Sequence, residues 1–197
     1  MSISIAGVTY AKLKAYCKKQ NWAFFDDGDY NLNIIGIRAA DRAANTFNDV
    51  ICVAFKQAGQ PQLLVFNATT DPGAYYRNNP LSVEGTAWLQ AGQQRGVWQM
   101  GKHQGKYPAL VQRKPIRFVR KSANGDVSEP ETGYIGINLH RASEAAIADT
   151  VDTFSAGCQV IADPLEYQLF IQLCALAAKR YGNAFTYTLI EEDAADV

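Results

Sequence analysis

The chain has 197 residues, enough for one domain with a real core. Lysine plus arginine and aspartate plus glutamate each number 19, so charge gives no case for nucleic acid or an anionic membrane surface. There is no run of about 18 apolar residues to cross a bilayer. The four cysteines, Cys17, Cys52, Cys158 and Cys174, show neither a C-x-x-C pair nor zinc spacing, so neither a metal nor another cofactor is expected.

Residues 8–20 read as a helix with Tyr10, Leu13 and Tyr16 or Cys17 on one face. The opening residues lack the charged-then-apolar order of a signal peptide. The expectation is synthesis in the cytoplasm, unless a leader has been removed, and no disulfide framework. "DDGDYNLN" (26–33) is an acidic turn without the order of a calcium loop. "LNIIGIR" (32–38), "DVICVAFK" (49–56) and "PQLLVFNATT" (61–70) read as strands, the last closed by a "DPG" turn. Residues 74–112, aromatic and glycine-rich, suggest short strands with wide loops, and Trp88, Trp98 and Tyr107 there suit either a groove wall or the core. "PIRFVRK" (115–121) alternates as a half-buried strand, and "ANGD" (123–126) is a hairpin turn.

"YIGINLH" (134–140) alternates Ile135, Ile137 and Leu139 against Tyr134, Gly136, Asn138 and His140. A polar face ending in histidine suits a cleft. Residues 163–181 are the clearest helix. Asp163 is the N-cap, Pro164 the first helical residue and Glu166 the partner of a capping box. Leu165, Leu169, Leu173, Leu176 and Ala177 form its expected apolar face, and Gly182 ends it. "AFTYTLIEE" (184–192) is a final strand, and the acidic tail is expected to fray.

Cys17, Cys52 and Cys174 fall inside helices or strands and read as packing thiols. Cys158 lies instead in a small-residue turn, "VDTFSAGCQV", directly after Gly157 and 18 residues after His140. A thiol needs a neighbouring base to act as a nucleophile at neutral pH. Histidine on a strand, then a loop, then a Gly-Cys turn supplies that pair, with backbone N–H groups near Gly157 and Cys158 to receive an oxyanion. The competing reading is one more buried thiol.

"INLHRASEAAIADTVDTFSAGCQV" resembles the active-site signature of the L,D-transpeptidase (YkuD-like) family, with S-A-G-C in place of S-H-G-C. The sharp likeness covers residues 134–160 and a looser one, including "LLVFNATTDPG", runs from about 60 to 162. Residues 1–55 and the 163–181 helix have no counterpart. The resemblance implies a single domain, 1–197, that is mainly β (α+β). It would be a mixed sandwich or barrel-like sheet with an N-terminal helix and a late packed helix. It implies cysteine-dependent acyl transfer on peptidoglycan stem peptides, as a carboxypeptidase or endopeptidase, or as transpeptidation or amino-acid exchange. Cys158 would be the nucleophile and His140 the base, oriented by the Arg141 backbone. Ser155 would support the turn and Gly157 the oxyanion hole. His103, Asn138, Tyr134 and Arg113 would contact substrate. His103 would replace the polar group missing at Ala156, and Arg113, with Arg117 and Arg120, would hold a carboxylate unless they form a solvated surface.

Val160 stands where the family carries arginine. These two departures support a rival reading: a non-catalytic wall-binding or virion structural module. The substrate implies action in the periplasm or wall after delivery without the general secretion route, or after lysis. A phage lysis enzyme or a secreted antibacterial effector fits, with a delivery partner and, for a toxic effector, an immunity partner. Neither nucleic-acid binding nor membrane insertion is expected.

Overall fold

The computed structural model describes residues 4–41 and 45–192. Its elements are, in order, α1 (Tyr10–Lys19), β1 (Asn33–Arg38), β2 (Asp49–Gln57), β3 (Gln60–Thr69), α2 (Ala74–Asn78), β4 (Thr86–Leu89), β5 (Gly92–His103), β6 (Tyr107–Gln112), β7 (Ile116–Lys121), β8 (Glu131–Gly133), β9 (Leu139–Arg141), β10 (Gln159–Ile161), α3 (Pro164–Tyr181) and β11 (Phe185–Glu191). Among the described residues, eight strands close into a barrel in the order β1-β11-β5-β6-β9-β10-β3-β2. The strands β4, β7 and β8 form a separate small sheet. The molecule is mainly β with a helix before the barrel and one late in the chain, as the sequence suggests.

Alternation along the strands separates two cores. Ile34, Val53, Phe66, Leu110, Leu139, Ile161 and Tyr187 join one large cluster, which also takes in Leu89, Ile116 and Phe118 of the small sheet. Ile35, Ile37, Cys52 and Ile190 face the other way and are covered by Leu13 and Cys17 of α1. Cys17, Cys52 and Cys174 are all buried in these clusters.

Four expectations need correction. The 74–112 region is not a set of short strands. β5 is the longest strand of the fold, and it turns tightly into β6 through Gln104 and Gly105 at positive φ. The regular strand at 134–140 is only β9, because Gly136 adopts φ +75° and breaks the ladder before it. The α3 helix buries Tyr167, Phe170, Leu173, Cys174 and Ala177, while Leu165 and Leu169 are exposed. The face is set by aromatic packing, with the Phe170 ring meeting that of Phe66 at 6.2 Å. Asp163 caps the helix, accepting from Leu165 N at 2.7 Å. Glu166 takes the Asn67 amide rather than closing the box. Residues 193–197, most of the acidic tail, lie outside the described residues.

A buried charged network stiffens the end of β3 beneath the cysteine turn. The Arg38 guanidinium reaches Asp71 at 2.7 Å, Glu191 at 2.9 Å and the carbonyls of Thr70 and Leu89 at 3.0 and 3.1 Å. Asp49 accepts from Ala39 N, Thr70 N and the Thr70 hydroxyl. Burial, then the nearby Asp71, pushes the Asp49 carboxyl above its usual range. From this platform Gly73 N donates to Ser155 O at 2.9 Å.

Gly36 and Tyr187 test the packing directly. A Cβ on Gly36 would lie 1.9 Å from the Tyr187 hydroxyl oxygen. Gly36→Ala is expected to lower stability by about 1–3 kcal/mol in denaturant unfolding. Its cost should fall by about 1 kcal/mol or more in a Tyr187→Phe background. Equal cost in both would show that Tyr187 simply moves aside.

Candidate active site

The parallel pairing of β9 with β10 builds the site. Its register sets Leu139 beside Gln159 and His140 beside Val160. Gln159 N donates to Asn138 O at 2.9 Å, which carries the pairing back to Cys158 and Asn138. Paired residues project to one face, so Asn138, His140 and Cys158 share it, while Leu139, Gln159 and Ile161 face the interior.

The turn before Cys158 is held by buried polar groups. Ser155 Oγ donates to Cys158 O at 2.8 Å and accepts from Gly157 N at 3.2 Å. Gly157 has φ +127°, and a Cβ there would lie 2.5 Å from Ala87 O, so only glycine fits. The Gln159 amide donates to Gly157 O and Thr70 O at 3.3 and 3.4 Å and accepts from the Tyr187 hydroxyl at 2.7 Å. Cys158 itself is partly exposed. Its sulfur accepts from Asn138 N at 3.4 Å and its S–H points at Gly136 O, 3.6 Å away. Its own N–H has no partner among the described residues, whereas Gly157 N is already given to Ser155.

Hydrogen bonding decides both histidine tautomers. His140 Nδ1 lies 2.8 Å from Arg141 O. A carbonyl only accepts, so Nδ1 carries the proton and Nε2 the lone pair. Asn138 Oδ1 accepts from Gln112 N at 2.9 Å, which turns its NH₂ toward His103 Nδ1, 3.2 Å away. His103 therefore carries its proton on Nε2. The two rings stack with centroids 3.9 Å apart, and the Tyr107 hydroxyl lies 3.2 Å from His140 Nδ1.

Cys158, His140, His103 and Asn138 all line one cleft of about 370 Å³, together with Tyr76, Leu81 and other residues including Ala156. Ala156 also lines a neighbouring cavity of about 250 Å³ beside Arg120, with Leu81, Ala87 and Ile135 shared between the two. Tyr134 and Arg113 lie outside the cleft. Tyr134 is exposed and its hydroxyl donates to Arg113 O, while the Arg113 side chain holds Gly96 O. The Arg141 side chain turns away to Glu144 and the Tyr107 ring. Val160 is fully buried in the barrel wall, so no side chain at that position replaces the family's arginine in the cleft. Among the described residues, no three His, Cys, Asp or Glu side chains gather as a metal would require.

Sequence reasoning missed the supports. Trp98 Nε1 donates to Ile137 O at 2.9 Å. Gln112 Oε1 accepts from Ile135 N and Gly136 N at 3.0 and 2.8 Å and so holds the carbonyl that faces the thiol. Gln159, a polar residue within an apolar strand, was the visible signal, since its burial demands partners, whereas Gln112 is only half-buried.

Burial pushes the Cys158 thiol up to about 11, partly offset by the Asn138 amide. Burial, then His103, lowers His140 to about 3, against the hydrogen bond to Arg141 O. The resting pair is therefore a neutral thiol and a neutral imidazole.

Two measurements check this. Native alkylation should label one thiol, Cys158, at a rate rising about tenfold per pH unit from pH 7 to 10, following thiolate fraction. A plateau below pH 8 would mean a thiolate–imidazolium pair instead. The second is acid stability. Between pH 6.5 and 3 the unfolded chain binds a proton at His140 that the folded chain refuses, so stability falls as pH falls through that window. His140→Gln lacks this term. Its stability relative to wild type should improve by about 3 kcal/mol between pH 7 and pH 4 in urea unfolding. An unchanged difference would mean that His140 titrates normally.

Compared with models of protein families, with curated proteins and with solved structures, the chain matches none of them, so a functional reading rests on the geometry of this cleft.

Proposed function

We propose that the chain is a cysteine-dependent acyl transferase or hydrolase acting on amide bonds, with peptidoglycan stem peptides as its substrate. The observation that carries this is the cleft itself. A partly exposed thiol shares it with an imidazole whose proton is fixed on the nitrogen facing the Arg141 carbonyl.

Substrate carbonyl carbon would be attacked by Cys158 sulfur while His140 Nε2 takes the thiol proton. The tetrahedral oxyanion would take the unpartnered Cys158 N–H. Collapse expels the amine, which receives that proton from the imidazolium, and leaves a thioester on Cys158. Water then gives hydrolysis, and an acceptor amine gives transpeptidation or exchange. Both groups start neutral, so charge separates only as the sulfur–carbon bond forms. The Asn138 amide to sulfur and the Arg141 carbonyl to Nδ1–H each favour the charged form of their partner. The family likeness in residues 134–160 supplies the substrate class. That substrate puts the site of action at the wall and requires a delivery partner, plus an immunity partner for a toxic effector.

The same electrostatics favour a second reading. A thiol raised to about 11 beside an imidazole lowered to about 3 also suits a wall-binding module that has lost catalysis.

Mass spectrometry of purified muropeptides incubated with the protein separates the two. Wild type should release a D-amino acid or shorter peptide, or form a new cross-link. Cys158→Ala should lower that rate at least about 10³-fold, and His140→Gln about 10²–10⁴-fold. Identical product profiles for wild type and Cys158→Ala would exclude the enzymatic reading, and muropeptide binding without turnover would support the second.

A further inference from the structure

A second feature lies away from the thiol cleft, where β5 turns past β7. A groove of about 290 Å³ there is lined by Arg95, Lys114, Arg117, Gln93, Thr132 and neighbouring residues, with no carboxylate among them. Arg113 stands at its edge. Its Nη1 and Lys114 Nζ both lie 3.7 Å from the position a Cβ would take on Gly96. None of these four cations makes an ion pair with the described residues. In a chain with equal numbers of acids and bases, four unneutralised cations at one place repel one another, and an anion would relieve that cost.

The three guanidinium groups are also held in place. Arg113 Nη1 donates to Gly96 O and Arg117 Nη2 to Gln93 O, each at 3.2 Å. The Arg95 guanidinium sits 5.5 Å above the Phe25 ring. Gln94, buried, clamps the strand beneath them. It accepts from Arg117 N at 2.8 Å and donates to Arg117 O at 3.3 Å. Gly92 and Gly96 both adopt positive φ, which curves β5 around the groove. Rigid guanidinium forks with ammonium beside them match phosphate oxygens better than isolated carboxylates. The lining holds no aromatic ring on which a nucleobase could stack.

We infer that this groove binds a phosphodiester chain lacking nucleobases, such as a sugar-phosphate or polyol-phosphate polymer. It is a binding site separate from the thiol cleft, and it does not depend on that cleft being catalytic.

The experiment measures binding of fluorescent glycerol-phosphate oligomers by anisotropy between 50 and 200 mM salt. Matched single-stranded DNA and polyglutamate of equal charge serve as comparisons. The expected log–log salt slope is about −3, from four contacts at about −0.7 each. Each single substitution among Arg95→Gln, Arg113→Gln, Lys114→Gln and Arg117→Gln should flatten the slope by about 0.7. The four together should weaken binding at least about tenfold at 50 mM salt. Circular dichroism and thermal unfolding confirm that the surface variants remain folded. Undetectable binding at 50 mM salt overturns the inference, and so does binding that the quadruple variant leaves unchanged. Polyglutamate binding equally well, or DNA binding more than about tenfold tighter, overturns the ligand class. The muropeptide result bears on none of these outcomes.

Discussion

The short parallel pair of β9 and β10 is the constraint from which the candidate site follows. Parallel strands cannot be joined by a tight turn and need a crossover of a dozen or more residues. Residues 142–158 are that crossover, so the separation of His140 from Cys158 in sequence is the length of a connection, not a chemical spacing. The register then places His140 beside Val160 and brings both candidate side chains, His140 and Cys158, to the same face. The opposite face of the pair, with Leu139, Gln159 and Ile161, is sealed in the barrel. Three-residue strands are weak by themselves, and this pair stands because β3 flanks it on one side and β6 on the other.

Much of the scaffold was legible because its signals are local. Apolar composition rich in Ile and Val marked β1 and β2, the DPG turn closed β3, alternation marked β7 and β11, and the Asp163-Pro164 start marked α3. What was not legible depends on partners far along the chain. Leu165 and Leu169 share the helical spacing of a buried face, yet the face that packs is aromatic and meets Phe66. The alternation in "YIGINLH" suggested a polar face on a cleft, which Asn138 and His140 do line, but it gave no sign that His140 would be buried under His103 and Tyr107. The region holding β5 read as short strands with wide loops because it is rich in glycine, and Gly92 and Gly96, at positive φ, lie within the one long strand. Cys158 and His140 could be picked out by residue type and order. Gln112, Gln159 and Trp98, which hold the turn and the facing strand, could not be assigned those roles, because most of their partners are backbone atoms and the rest lie far along the chain.

The electrostatics of the cleft join its two possible uses. The same burial that excludes water from a reacting carbonyl also keeps the thiol protonated and the imidazole uncharged. Arg141 O and Asn138 N oppose this with hydrogen bonds that strengthen when charge develops. Opposite tautomers let the stacked rings share a small space without either donating into a donor, an arrangement that depends on the orientation of the Asn138 amide.

The closure of the barrel bears on when in the chain's synthesis the site can exist. Ile34 pairs with Tyr187 across nearly the whole sequence, so the ladder stays open until β11 has been made. Tyr187 also supplies the hydroxyl that props Gln159 beneath the cysteine turn. A nascent or truncated chain lacking β11 therefore has the thiol and both histidines but not the support that shapes their turn. The thiol site in its full form therefore requires the C-terminal strand, although none of its reactive side chains lies on it.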